Sequence, residues 1–371
     1  MGMKKSRIPA IEYIRGISML GVVGIHVGSQ YLENPSPNTA LVALFEIVTR
    51  FAVPIFFFVS AFGLFYHLDL KAPLDYAAFL RRRARTVLVP YVVWSLFYIL
   101  HYTVLYRDTM LLHMRVIAKY LFFGFGCYQL YFMVILLWFY LLMPLWIWIV
   151  RRMTPKRLVA LLTAQIAFDY WSSFIVNPNA IVNPYLQILV VNRLNYWVMH
   201  YVFIFVFGGW LAVHYGEFLG FIRRRRAVVS VFFFASLASM LGYYYFLILV
   251  RGYDAIGAIN TAHQLCPLGV IYTLAASVFF FAVFTPDAPS VEIRKALSFL
   301  GRHSYFVYLA HPLAITYLGI AFAKTGKVMT APIAIIFYVA VVLLTLATAV
   351  SIRRFGERFP IINQLTIGTG K

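Results

Sequence analysis

The sequence predicts an all-α, polytopic membrane protein of about ten transmembrane helices, with both termini in the cytoplasm. Three observations predict it. Of 371 residues, 63% are hydrophobic and only 12% are charged, whereas a soluble domain carries about 25% charged residues. The mean hydropathy is +0.82, and apolar runs of about 16 to 25 residues recur along the chain, the length a hydrocarbon core requires. Finally, the basic residues gather in alternate connections, which sets an orientation.

In chain order the runs are 8–28, 41–66, 87–106, 129–150, 158–173, 197–215, 227–250, 265–285, 303–323 and 331–352. The first run is of full span length and lacks a small-residue cleavage site, so no cleavable signal is expected. No soluble domain of useful size flanks the runs, and residues 1–371 are expected to form a single integral membrane domain. Two outer connections are long. Residues 107–128 contain "MRVIAKYLFFGF", the pattern of an amphipathic interfacial helix. Residues 174–196 hold two Asn-Pro pairs and read as an irregular, partly apolar loop. There is no internal repeat, and there are no paired helices broken by Gly or Pro. Aromatics make up 18% of the chain; interfacial belts and packing account for most of them.

The net charge of +20 raises the question of nucleic acid, and its distribution answers against it. Lys4, Lys5 and Arg7, the cluster Lys71 with Arg81 to Arg85, the groups near 151–157, 223–226 and 294–302, and the C-terminal tail hold 23 of the 32 basic residues. The opposite side holds 7. That asymmetry is the positive-inside pattern beside anionic head groups, and it makes the number of spans even. Cys127 and Cys266 fit no zinc or redox spacing. Both fall near the predicted outer face. A disulfide stays open, and two free thiols are the favoured reading.

The most informative stretch is "EYIRGISMLGVVGIHVGS", residues 12–29. It is apolar enough to span, yet it carries Arg15 and His26. Ionisable groups inside a span are costly and usually face a bundle interior or an aqueous cavity. Eleven residues make three turns plus about 20°, so both side chains share one helical face about 16 Å apart. Arg15 falls in the cytoplasmic half and His26 near the outer end, which suggests a site reaching across the bilayer. Snorkelling accounts for Arg15 equally well, and a satisfied interfacial position accounts for His26. Their common face favours function.

Other polar residues lie at the same outer level. Glu46 and Arg50 are four apart and are expected to pair. Asp169, near the outer end of the fifth run, is either a carboxylate that orients His26 or a plain interfacial residue. On the cytoplasmic side, Arg82 and Arg85 in "FLRRRARTVLVPYVVW" are three apart and face one way. Arginine suits bidentate phosphate binding, and it is equally an ordinary membrane-edge anchor.

Five segments, taken in order, resemble the membrane-bound acyltransferase 3 family over nearly the whole chain. "YIRGISMLGVVGIHVGS" resembles its Arg-x10-His first helix. "RFAVPIFFFVSAFGLF" resembles the second, with Ser60-Ala61 where Ser-Gly is usual. "FLRRRARTVLVPYVVW" resembles its Arg-x-x-Arg segment. "YQLYFMVILLWFYLLMPL" resembles the fourth helix, with Tyr131-Phe132 where Trp-Phe is common. "LGRHSYFVYLAHPL" resembles the ninth and carries Ser304, Tyr305, Tyr308 and His311.

The resemblance implies transfer of an acyl group, above all acetyl, from cytoplasmic acyl-CoA to a hydroxyl of an extracytoplasmic or membrane-linked acceptor, typically a cell-surface glycan. It implies catalytic roles for Arg15 and His26 and donor binding by Arg82 and Arg85; Glu46, Arg50, Asp169, Ser60 and His311 stand beside these as candidate orienting or structural residues. No metal is expected. The chain would be of the stand-alone type, without an SGNH domain, in a bacterial inner membrane, with lipid and glycan as partners. Homo-oligomers and synthesis-complex partners stay open. Two alternatives compete with this reading. A transporter of a polysaccharide or lipid-linked intermediate would also use intramembrane charges. A non-catalytic member of a synthesis complex would leave Arg15 and His26 without a role.

Overall fold

The computed structural model describes residues 7–285 and 290–369. Lys4, Lys5 and Lys371, three of the basic residues assigned to the cytoplasmic side, lie outside the described residues. All regular structure among the described residues is helical, with no strand. Ten segments correspond one for one to the predicted runs. They are α1 (Pro9–Tyr31), α2 (Thr39–His67), α3 (Tyr76–Tyr106), α4 (Tyr131–Leu141 with Met143–Arg151), α5 (Pro155–Ile175), α6 (Val198–Val213 with Tyr215–Arg224), α7 (Arg226–Leu249), α8 (Pro267–Phe284), α9 (Val291–Ala323) and α10 (Ala331–Arg358). Eight are continuous; α4 bends by 66° and α6 by 95°.

The two bends depart from the unbroken runs expected. In α4 the break falls at Leu142, and Pro144 stands in the first turn of the second half. Its ring has no N–H with which to continue the first helix. In α6 the break falls at His214. The helix beyond it buries Phe218 and Ile222 and exposes Glu217, Arg223 and Arg224, the pattern of a helix lying in the membrane plane rather than crossing it.

Helix starts follow local chemistry. Asp75 accepts from Ala78 N at 3.0 Å, Thr154 accepts from Arg157 N with Pro155 at the first helical position, and Cys266 accepts from Gly269 N ahead of Pro267. Residues 174–196 are more ordered than a loop. Asn177 and Asn183 cap a short 3-10 turn (Pro178–Ala180) and a helix (Pro184–Val191), each with Pro next in sequence. The Asn-Pro pairs thus work as a cap plus a pre-set first residue and not as turn formers. The predicted interfacial helix in 107–128 is present as Met114–Phe123.

The chain forms two compact units. The first holds α1, α2, α5 to α9 and the first part of α10. Here α1 packs along α9, α2 along α6, and α7 along α8. The α1–α9 contact is unusually close: a Cβ on Gly301 would stand 2.1 Å from the Glu12 carbonyl oxygen, and one on Gly16 would stand 2.9 Å from Gly301 N. Absence of side chains lets the two backbones touch, a small-residue device familiar in membrane helix packing. Ala61, where the family usually has Gly, is fully buried, so its methyl is accommodated. The second unit holds α3, α4, the outer segments around 175–200 and the end of the chain. Within it, Tyr76 hydroxyl donates to Leu141 O at 2.6 Å and Tyr91 hydroxyl to Leu121 O at 2.5 Å.

Candidate functional site

Three segments of π-helix interrupt otherwise regular spans: Ala43–Ile47 in α2, Ala84–Leu88 in α3 and Trp171–Ile175 at the end of α5. Each inserts a residue into the helical turn, a distortion common at functional sites. One contains Glu46, one contains Arg85, and the third follows Asp169 within one turn. The sequence gives no sign of them.

In the first unit, His26 is half-buried on α1. Its ring meets that of His311 on α9 edge to face, with centroids 5.0 Å apart at 83°. The imidazole therefore meets α9 across the α1–α9 contact. His311 is fully buried. Its Nδ1 lies 3.1 Å from the Val307 carbonyl oxygen. A carbonyl only accepts, so Nδ1 carries the hydrogen, and in the neutral ring Nε2 keeps the lone pair. The following residue, Pro312, lies inside α9 and cannot donate back to the preceding turn. Tyr308 packs beside His311 with centroids 6.3 Å apart, and Phe56 of α2 packs on Tyr308 at the same distance. The site is thus walled by aromatic rings from α2 and α9.

Glu46 and Arg50 pair as expected, at 3.4 Å. The carboxylate is buried against the α1 backbone: a Cβ on Gly28 would stand 2.9 Å from Glu46 Oε1. Ser29 hydroxyl donates to that oxygen at 3.4 Å. Arg50 Nη2 donates to the Ile259 carbonyl at 2.9 Å. The pair therefore ties α2 to α1 two to three residues beyond His26 and to the short helix Ala255–Thr261. A broken buried charge pair is costly; here Arg50 Nη2 is held by both Glu46 and the Ile259 carbonyl, while Arg50 Nε has no hydrogen-bond partner among the described residues.

Asp169 is fully buried. It accepts from Gln165 Nε2 at 2.9 Å, and Gln165 Oε1 accepts from the backbone N–H of Phe203 at 3.0 Å. That N–H belongs to the first turn of the α-helical part of α6, Val202–Val213, where donors lack intrahelical partners. Asp169 thus fixes the amide that caps α6. Gln165 was missed in the sequence; its signal was a polar residue one turn before Asp169 on the same face. Ser18 was missed as well. It lies on α1 between Arg15 and His26, is fully buried, and its hydroxyl has no hydrogen-bond partner among the described residues. Arg15 is half-buried on α1 next to Gly16, where α9 comes closest, and Ser60 is half-buried on α2.

Arg82 and Arg85 lie in the second unit, and both are exposed. Their neighbour Arg83 is held: its guanidinium stacks at 5.3 Å from the Phe79 ring and 5.2 Å from the Tyr140 ring. The basic run thus separates by role, with Arg83 packed and Arg82 and Arg85 presented. No group of three or more His, Cys, Asp or Glu among the described residues has metal-binding geometry. Cys127 and Cys266 are free thiols.

The chain matches none of the curated proteins and none of the solved structures with which it was compared. A family model does match: the acyltransferase domain of the acyltransferase 3 type covers residues 8–354. That span takes in the Arg15–His26 helix, the Arg82–Arg85 segment and the His311 helix together, and the chain accordingly belongs to the acyltransferase 3 family of membrane acyltransferases.

Proposed function

We propose that this protein transfers an acyl group, with acetyl the first candidate, from cytoplasmic acyl-CoA to a hydroxyl of an extracytoplasmic or membrane-linked acceptor. A cell-surface glycan in a bacterial inner-membrane setting is the acceptor class that fits best. The observation that carries the reading is the imidazole pair of His26 and His311, enclosed between α1 and α9 on the helix that also bears Arg15.

In this reading Arg82 and Arg85 take the phosphates of the CoA nucleotide, for which a pair of presented guanidiniums is suited. Neutral His26 accepts the proton of the acceptor hydroxyl as its oxygen bonds to the thioester carbonyl carbon. The carbon–sulfur bond then breaks, and the CoA thiolate leaves with the proton that His26 had taken. His311 holds the His26 ring in place, and Arg15 supplies positive charge in the same helical stripe. A covalent acyl-histidine relay is ranked lower, since direct transfer needs no second acyl step.

The test uses purified protein in nanodiscs, radiolabelled acetyl-CoA and an extract of surface glycan. Label should pass to the acceptor with wild-type protein and fall by about 10² to 10⁴-fold in His26→Ala. Undiminished labelling would remove His26 as the base. The bends in α4 and α6 give a transporter reading some footing, because broken helices line many transport sites. Uptake of acceptor into liposomes with no acyl-CoA present would favour that reading.

A further inference from the structure

The family match ends at residue 354, yet the chain continues into a further helix, Pro360–Ile367. This helix packs on the π-helical segment Ala84–Leu88 and on the α3 turns after it. Two contacts set the join to α3, and a third ties the helix back to the end of α10. Trp94 Nε1 donates to the Thr366 carbonyl at 3.0 Å. Gly368, in the left-handed region at φ +69°, lies so close to Thr86 that a Cβ there would stand 2.3 Å from the Thr86 carbonyl oxygen. Asn363 Nδ2 donates to the Arg353 carbonyl at 3.2 Å, and the Asn363 side chain fills the space over Gly356. Thr86 in turn donates its hydroxyl to the Arg82 carbonyl at 2.9 Å.

We infer that residues 360–368 are a positioning element for the basic pair, with Trp94, Thr366 and Gly368 as its positioning residues. π-helical turns are rare and occur mostly as single-turn bulges, often at functional sites, and this one is braced from outside. Here the support comes from the segment beyond the family match. It holds the Thr86 backbone, and through it the turn on which Arg82 and Arg85 stand three residues apart with their side chains exposed. Arg83, packed between Phe79 and Tyr140, anchors the same turn from another side. The backbone positions that present the two arginines are thereby set before any anion arrives, which lowers the ordering cost of binding. The inference rests on the reading of Arg82 and Arg85 as the donor site.

The experiment measures initial rates of acetyl transfer by the full-length protein in nanodiscs, titrating acetyl-CoA and acceptor separately. The variants are Gly368→Val, Trp94→Phe and Arg82→Ala, each with its thermal midpoint. Gly368→Val is expected to raise KM for acetyl-CoA about tenfold with kcat and the acceptor KM within about twofold, and Trp94→Phe to raise it in the same direction by less. Arg82→Ala is expected to raise the same KM. If Arg82→Ala raises it while Gly368→Val and Trp94→Phe leave it unchanged, the positioning role is wrong and the donor site stands. If Arg82→Ala has no effect on it, the donor reading itself fails. A fall in kcat and thermal midpoint with an unchanged donor KM would mark the join as merely structural and overturn the inference.

Discussion

The imidazoles of His26 and His311 stand edge to face at 5.0 Å although 285 residues separate them in the chain. Nothing in the spacing of either helix announces this meeting. It follows from the α1–α9 contact, where two glycines let backbones touch. Substituting His311 therefore tests geometry rather than chemistry. His311→Gln keeps a hydrogen-bonding side chain of similar reach and is expected to retain folding. Transfer should fall by about tenfold to a hundredfold, the scale of an ångström's misplacement of a catalytic group, and by less than in His26→Ala. Equal losses in the two variants would give His311 a direct part in the reaction.

Gly301 tests the same geometry from the backbone side. A methyl there would overlap the Glu12 carbonyl at 2.1 Å, with no flexible side chain able to yield. Gly301→Ala is expected to force α9 away from α1 at a cost of about 1–3 kcal/mol or more. The measurement is the thermal midpoint in nanodiscs together with the transfer rate. Wild-type values for both would mean that α1 and α9 do not touch at this point.

The eight continuous spans and the two bent pairs were legible because length and composition alone decide them: about 20 apolar residues must cross a hydrocarbon core whatever their partners. The Glu46–Arg50 pair was legible because a four-residue spacing needs only one helix. What escaped depends on groups from different helices or on backbone irregularity. The partner of Asp169 escaped because Gln165 matters only through the N–H of Phe203, 38 residues away. The π-helical segments escaped because an inserted residue leaves hydropathy unchanged. His311 came only from family resemblance. The Asn-Pro pairs were misread because the same dipeptide that opens a turn also caps a helix.

Cys127 gives a prediction about pH. Burial favours the neutral thiol and pushes its pKa up to about 12, with Tyr102 hydroxyl 3.3 Å from the sulfur. At pH 8 only about one part in ten thousand would be thiolate, and the thiolate is the reactive form. Native protein treated with N-ethylmaleimide should show little modification at Cys127 by peptide mass spectrometry. Labelling should become complete in sodium dodecyl sulfate. Rapid labelling of the native protein at pH 7 would contradict the buried placement.

The buried pair of Glu46 and Arg50 separates support from chemistry. Glu46→Gln leaves the Arg50 charge at 11% side-chain exposure with no carboxylate beside it, a loss of about 3–5 kcal/mol for a buried pair broken on one side. Arg50→Met leaves Glu46 in the same position. The double variant Glu46→Gln with Arg50→Met removes both charges, and its stability should recover toward wild type, because paired removal spares the uncompensated ion. Activity should recover with it, since the glutamine keeps the length of the side chain on which Gly28 and Ser29 rest and no unpaired charge is left beside it. The double-mutant cycle is read twice, once in thermal midpoint and once in transfer rate. Recovered stability with activity still lost would mean that the Glu46 carboxylate itself is needed at the site, and the purely supporting role assigned to it would then be wrong.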